Sequence, residues 1–290
     1  MQRSDRRTLA TEAIRAAAEA RAQAKVGQAT PICIYDICQK LGVVVRFNNI
    51  NMEGMYQRGT PPRIHLSAHR PLVRRNFNCA HELGHHVFGH GSSIDELCED
   101  AQKRSLDPKE FLADAFAGFA LMPLIGLRRA FSVRHWDPAL ASAAQLFTIA
   151  CEFGVGYSTL LTHLSAGVSL LSRTRAADLQ RVTPKALRTS ILGEVTSAPL
   201  IVADHHYAAP TIDAETETLI LFPPDTTVSG DGLRHDRDLI SGRLLRAERT
   251  GIVRATTDSG WAVFVRIAIR GYVGLAQYRH LDDDPDEENG

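Results

Sequence analysis

The chain has 290 residues, no formal net charge and a hydrophobic share of 44%, which predicts a globular protein of two or three units. Five cysteines without framework spacing exclude a disulfide scaffold and indicate a reducing compartment. The charged N-terminus lacks an apolar signal core and no apolar run approaches eighteen residues, so we expect a cytoplasmic protein that does not span a membrane.

The first 125 residues predict an α+β unit. Hydrophobic periodicity, prolines at helix starts and β-branched runs define its elements in chain order. These are a helix over residues 6–25, a second helix from Thr30-Pro31 to Leu41, a strand over 43–47, a hairpin over 54–67 with its turn at 59–62, a long helix over about 71–90, and a helix from Asp107-Pro108 to Met122-Pro123.

The predicted secondary structure changes along the rest of the chain, from helices to short strands. Residues 138–171 predict helices with a break at 153–156, and residues 173–188 predict a basic helical connector. From Ile191 onward the pattern indicates short strands over 200–202, 218–222, 251–255, 261–265 and 272–275, with a turn at 258–260. The last residues, 282–290, form an acidic run that we expect to be disordered.

A His-Glu-x-x-His motif lies on the predicted long helix. His81 and His85 are four residues apart, so their rings share one helix face and can bind one metal ion. Glu82 lies on an adjoining part of the helix, where it can take a proton from water at the metal. The motif predicts a catalytic zinc site.

Two acidic residues on the next helix strengthen this prediction. Catalytic zinc usually has three protein ligands, and Glu110 would complete a His, His, Glu set. Asp114 lies one turn further, placed to accept a ring N–H from a ligand histidine; Asp114 as the ligand, or both acids on a solvated face, are the alternatives. Apolar neighbours over 111–117 favour partnered carboxylates.

These residues resemble the ImmA/IrrE metallopeptidases. The resemblance covers about residues 30–125 and includes 77–85, Glu110, Ala113-Asp114, Phe116-Ala117 and Leu121-Met122-Pro123. Family members commonly have Asn at the position of Asp114, which leaves the ligand set intact. The resemblance implies a gluzincin-like fold for the metallopeptidase domain, which we place over 1–125. The pattern of predicted elements gives a helix-turn-helix-like segment and connector over 126–190 and a β-rich domain over 191–281, for which position alone suggests a regulatory or sensor role.

The resemblance also implies a biological role. The substrate would be one specific protein, typically a helix-turn-helix repressor encoded nearby, and its cleavage would derepress genes for stress response, mobile-element transfer or phage defence. Relatives such as IrrE have a GAF-like sensor in their C-terminal region. Membership of the CapP-like branch of anti-phage operons would make single-stranded DNA a candidate activator.

Three further residues are candidates near the metal. A flexible loop could bring the thiolate of Cys98 to the open zinc position and hold the enzyme latent, although a small residue packed under a loop explains it as well. Tyr56 and His65, on the predicted hairpin, could stabilise the oxyanion, and packing explains both equally. The hairpin edge could hold an extended substrate. We expect His86 and His90 to be structural.

The middle segment raises a rival function. Residues 144–161 have helix-turn-helix character, but the predicted second helix, 157–164, contains no Lys or Arg to bind phosphate. A better basic patch, which a solvated connector also explains, comprises Arg173, Arg175, Arg181, Lys185 and Arg188. The alternatives to a zinc endopeptidase are a DNA-binding regulator with an inert protease-like domain, and a zinc hydrolase with a non-peptide substrate.

Overall fold

Residues 3–95 and 107–281 are described in the computed structural model, and the chain divides into two units. The first unit comprises residues 1–126 and 271–278, and the second comprises 127–270 and 279–290. Helices and strands occur in both units, as the α+β prediction requires.

The helices are α1 (Arg3–Gln23), α2 (Ile34–Lys40), α3 (Leu72–Val87), α4 (Pro108–Leu121), α5 (Leu124–Val133), α6 (Ala143–Glu152), α7 (Tyr157–Thr162), α8 (Arg173–Gln180) and α9 (Pro184–Leu192). The strands are β1 (Val44–Asn48), β2 (Gly54–Gln57), β3 (Arg63–Ser67), β4 (Ser93–Asp95), β5 (Leu200–Val202), β6 (Thr211–Glu215), β7 (Leu219–Phe222), β8 (Thr227–Ser229), β9 (Leu233–Leu239), β10 (Gly242–Ala247), β11 (Gly251–Thr256), β12 (Ala262–Ala268) and β13 (Gly274–Leu275).

A five-stranded sheet in the order β13-β1-β3-β2-β4 forms the base of the first unit. The predicted hairpin is confirmed, because β2 and β3 pair antiparallel. On its other side β2 pairs with β4, so the hairpin edge that we expected to hold substrate is already occupied. Helix α3 packs on β2 and β3, and α4 packs on α3 and α1, which places the two predicted ligand helices side by side.

Helix α2 begins three residues later than predicted. Pro31 is not in its first turn, because the helix starts at Ile34 after Cys33. The buried guanidinium of Arg21 explains the delay: it donates to the carbonyls of Gly27 and Thr30, and this holds the approach to the helix as a loop. The same guanidinium donates to Ala120 O at 2.6 Å and so fixes α1 against the end of α4.

Helix α4 begins as predicted. The Asp107 side chain caps it by accepting from Lys109 N at 2.8 Å, and Pro108 occupies the first turn. Among the described residues, 108–133 form a stretch long and apolar enough to cross a membrane, yet most of its apolar part is buried inside the protein. The helix ends at Leu121 and α5 begins after Pro123, so each piece is shorter than the roughly 20 residues that a span needs.

The second unit combines helices α5–α9 with two four-stranded sheets, in the orders β5-β7-β10-β9 and β6-β12-β11-β8. Buried residues of both sheets, such as Phe222 and Val265, form one hydrophobic core. The predicted break between α6 and α7 is present, with Gly154 at φ 62°. Strands β6, β8, β9 and β10 were not predicted from the sequence, and the acidic run 282–290 lies outside the described residues.

The strand predicted near the C-terminus lies in an unexpected place. Residues Gly274–Leu275 form β13, which pairs antiparallel with β1 and belongs to the sheet of the first unit. The aromatic rings of Tyr272 and Phe47 pack edge to face beside it, with centroids 6.1 Å apart. The C-terminal residues 271–278 therefore complete the sheet on which α3 lies.

Candidate metal centre

Helix α3 presents two polar faces to two different neighbours. One face carries His81 and His85 and lies against α4. The other carries Arg74, Asn78, Glu82 and His86, which recur every four residues and so align along the helix. This second stripe lies against residues 53–56 at the start of β2.

Three side chains converge between α3 and α4. His81 Nε2 and His85 Nε2 are 3.0 Å apart. Glu110 Oε2 is 3.3 Å from His81 Nε2, and its other oxygen, Oε1, is 3.4 Å from His85 Nε2. Both histidines are buried, while the Glu110 side chain is 19% exposed, so the cluster is within reach of solvent on the carboxylate side.

The spacing of these atoms fits a divalent ion. Zinc bonds of about 2.0–2.1 Å in a tetrahedron separate the ligand atoms by about 3.3–3.4 Å. The two imidazole nitrogens are 3.0 Å apart, and each lies 3.3 or 3.4 Å from a different oxygen of the Glu110 carboxylate, which is close to that value. Two imidazole nitrogens and a carboxylate are also the donor set of many catalytic zinc sites. His81, His85 and Glu110 can therefore hold a metal ion.

Each histidine of the cluster has a partner at its other ring nitrogen. Asp114 Oδ1 lies 2.8 Å from His81 Nδ1, as expected for a residue that fixes the ring orientation. The Asp114 side chain is 61% exposed, so it lies at the rim of the cluster while Glu110 lies inside it. His85 Nδ1 lies 3.0 Å from the Nδ1 of His90.

A close helix contact sets the distance between the two ligand helices. A methyl group on Gly84 would lie 3.0 Å from the Cα of Ala113. The small residues allow α3 and α4 to approach closely, one position before His85 and one before Asp114. Glu110 consequently reaches both imidazoles from the first turn of α4.

Glu82 is fully buried against the start of β2. A methyl group on Gly54 would come within 2.8 Å of Glu82 Oε1, so a larger residue there would displace this carboxylate. The preceding residue, Glu53, accepts from Arg74 Nε and from Asn78 Nδ2, at 2.8 and 2.9 Å. These bonds tie the strand to α3 and place Gly54 opposite Glu82.

Burial decides the protonation state of the second histidine. Desolvation and the positive charge of a protonated His81 lower the pKa of His85 to about 4, although Glu110 and Asp114 act in the opposite direction. The ring is therefore neutral at neutral pH. Because neutral imidazole is the form that binds metals, His85 needs no deprotonation to act as a ligand.

The two hairpin candidates differ in position. Tyr56 shares the helix-facing side of β2 with Gly54, and its hydroxyl lies 2.9 Å from His86 Nδ1, away from the ligand nitrogens. His65 is directly opposite Met55, and residues paired in this way point to the same face, which is the face turned away from α3. His65 contacts Asn48 and Gln57 there, and its role as an oxyanion stabiliser stays a prediction.

The remaining candidates are Cys98, the basic patch and the second helix of the helix-turn-helix-like segment. Cys98 lies outside the described residues. The residues of the basic patch lie on α8, on Arg181 directly after α8, and on α9. Arg181 lies 3.4 Å from Asp178, and Arg175 donates to the carbonyl oxygen of Ala141. The exposed positions of α7 include Ser158 and Thr162, and neither is a cation.

Four residues that build the site were not predicted from the sequence. Glu53 and Gly54 hold the Glu82 carboxylate in place, Gly84 allows the helix contact, and His90 contacts the His85 ring although we expected it to be structural. The four-residue spacing of Arg74, Asn78 and Glu82 was a readable sign of a second functional face on α3. A glycine in a strand carries no comparable sign.

The first unit places a His-Glu-x-x-His helix beside the helix that follows it, and a His-His-Glu cluster that could hold a metal ion lies between them. Residues 38–165 match the family model of the IrrE N-terminal-like domain, Peptidase_M78, which includes both ligand helices. No curated protein matches the chain. The family match indicates a metallopeptidase and supports the resemblance to the ImmA/IrrE proteins.

Proposed function

We propose that this protein is a zinc-dependent endopeptidase. The observation that carries the proposal is the meeting of His81 Nε2, His85 Nε2 and the Glu110 carboxylate at metal-ligand spacing, with Glu82 next to His81 on the same helix. Zinc at such a position acts as a Lewis acid that polarises a carbonyl and makes water more acidic.

The chain's own groups would then have separate tasks. Glu82 would accept a proton at its carboxylate, and the wall formed by Gly54 would keep this carboxylate in place. Asp114 would accept the N–H of His81 and orient that ring. The partly exposed side of Glu110 would leave space for a peptide. Together these roles would allow the protein to hydrolyse an amide bond.

The resemblance to the ImmA/IrrE proteins supports a narrow substrate. We propose that the substrate is a helix-turn-helix repressor in the cytoplasm and that its cleavage derepresses genes for stress response or phage defence. Membership of the CapP-like branch and activation by single-stranded DNA are parts of the same proposal. The zinc site does not depend on either of them.

The test is co-incubation of the purified protein with the repressor encoded beside it, with and without single-stranded DNA. Mass spectrometry of the fragments should give one discrete cut. Glu82→Gln is the matched control, because it removes the base while the three ligands remain, and no cut is expected. A cut by Glu82→Gln would contradict the assigned base. An intact repressor together with specific duplex DNA binding would favour the DNA-binding regulator instead.

A further inference from the structure

We propose that His90 is a positioning residue for the metal ligand His85. In this inference His90 accepts the Nδ1–H of His85 and thereby determines which ring nitrogen of His85 is left for the metal. The inference rests on the proposed zinc site, because it takes His85 Nε2 as a ligand atom.

Metal binding at His85 Nε2 would determine the direction of this hydrogen bond. His85 Nε2 lies 3.0 Å from His81 Nε2 and 3.4 Å from the Glu110 carboxylate, where its lone pair can be offered to the proposed metal ion. A neutral imidazole has one N–H, and the proton of His85 must then be on Nδ1. His90 Nδ1 lies 3.0 Å away and must accept, which leaves the proton of His90 on its own Nε2.

The His90 ring is held in place without any help from a metal. Gly89, at φ +65°, turns the chain back after α3, and His90 N donates to His85 O at 3.0 Å. The His90 ring stacks on Phe88 at 21° with centroids 5.6 Å apart. Phe88 in turn packs against Phe116 of α4. The acceptor is therefore preorganised on the same helix pair that carries the ligands.

The two ligand histidines consequently differ in the kind of acceptor. His81 donates to the carboxylate of Asp114, whereas His85 donates to a neutral imidazole. A carboxylate makes a ligating ring more basic than a neutral acceptor does. The loss of either acceptor should weaken metal binding, because such outer partners typically contribute about 10- to 100-fold in affinity.

Two substitutions separate the hydrogen bond from packing. In His90→Asn the amide oxygen is as many bonds from Cα as Nδ1 is in histidine, so it can still accept, whereas His90→Leu fills similar space with no acceptor. Zinc affinity is measured by competition with a chromogenic chelator, with Asp114→Leu as the comparison. We expect His90→Leu to weaken binding about 10- to 100-fold and His90→Asn to remain within about threefold of wild type. Equal affinity of wild type and His90→Leu, or equal losses in both His90 variants, would overturn the inference.

The wild-type protein gives a second readout that needs no variant. In the zinc-loaded protein, ¹⁵N NMR of the histidine rings should show His90 protonated on Nε2 and His85 on Nδ1. A proton on Nδ1 of His90 would overturn the inference even where a variant fails to fold. If wild type binds no zinc at all, the proposed function fails with it; if wild type binds zinc and only the His90 results disagree, the proposed function stands.

Discussion

Gly54 and Glu82 are in direct contact across the interface between β2 and α3. The Glu82 carboxylate occupies the space that a side chain at position 54 would need. A methyl group on Gly54 would lie 2.8 Å from Glu82 Oε1 and 3.0 Å from Glu82 Cγ. Gly54 and Tyr56 are two residues apart on β2, which is about 6.6 Å along a strand, and Glu82 and His86 are four residues apart on α3, which is about 6 Å along a helix. Tyr56 therefore meets His86 just as Gly54 meets Glu82.

Gly54→Ala should displace the Glu82 carboxylate while the three ligands keep their positions. We expect hydrolysis of the protein substrate to fall about 100-fold, the size of loss that a displacement near 1 Å can cause, with zinc affinity unchanged. Gly59→Ala in the turn of the same hairpin is the control, since its methyl group would meet Pro61 O at 3.3 Å, far from the base. Undiminished hydrolysis by Gly54→Ala would contradict the assigned role of Glu82.

Tyr56→Phe tests whether the tyrosine hydroxyl acts on substrate. Because this hydroxyl is bonded to His86, its removal should cost about 1 kcal/mol of unfolding free energy and leave hydrolysis within a few-fold of wild type. Chemical denaturation and a peptide-cleavage assay measure the two effects. A 100-fold loss of hydrolysis at unchanged stability would show instead that the hydroxyl swings to the substrate.

The metal-free protein should lose stability in acid through His85. Its pKa is about 4 in the folded chain and about 6.5 when unfolded, so only the unfolded state gains a proton between these values. The contribution is complete above pH 6.5 and is lost as the pH falls towards 4, by up to about 1.4 kcal/mol per pH unit. Urea denaturation with a chelator present, at pH 7.5 and 5.0, measures the difference. His85→Asn should show a smaller difference, and an equal one would contradict the assignment.

The chain's last strand should protect the first unit from local opening. A chain that ends at residue 270 lacks β13, whose residues pair with Arg46 and Phe47 of β1. Hydrogen exchange of a peptide covering 44–48 should therefore become faster in this variant. A chain that ends at residue 281 keeps β13 and is the control. Equal exchange in both truncated chains would show that β13 contributes nothing to the sheet.

Local patterns predicted the elements that local chemistry controls. The aspartate and proline at the start of α4, the hairpin turn and the break before α7 all act on residues close to them in the chain. Long-range pairing was not predictable in this way. Nothing within residues 272–275 indicates that they pair with β1, more than 220 residues earlier, and the start of α2 depends on a guanidinium from α1.

The site was predictable to the extent that its chemistry lies in side chains at helical spacing. His81 and His85 lie one turn apart, and Glu110 and Asp114 repeat that spacing on α4, where each contacts the histidine cluster. The face of the sheet to which a strand side chain points could not be predicted from the sequence. Tyr56 and His65 looked equivalent in the sequence, but the register of β2 and β3 puts them on opposite faces of the sheet.

Metal content is the most direct test of the central claim that His81, His85 and Glu110 bind one ion together. Elemental analysis of protein purified without chelators or added metal should find one zinc per chain in wild type and in Glu82→Gln. His81→Asn, His85→Asn and Glu110→Gln should each contain far less. Wild-type protein without stoichiometric metal, or full zinc content in all three ligand variants, would contradict the account.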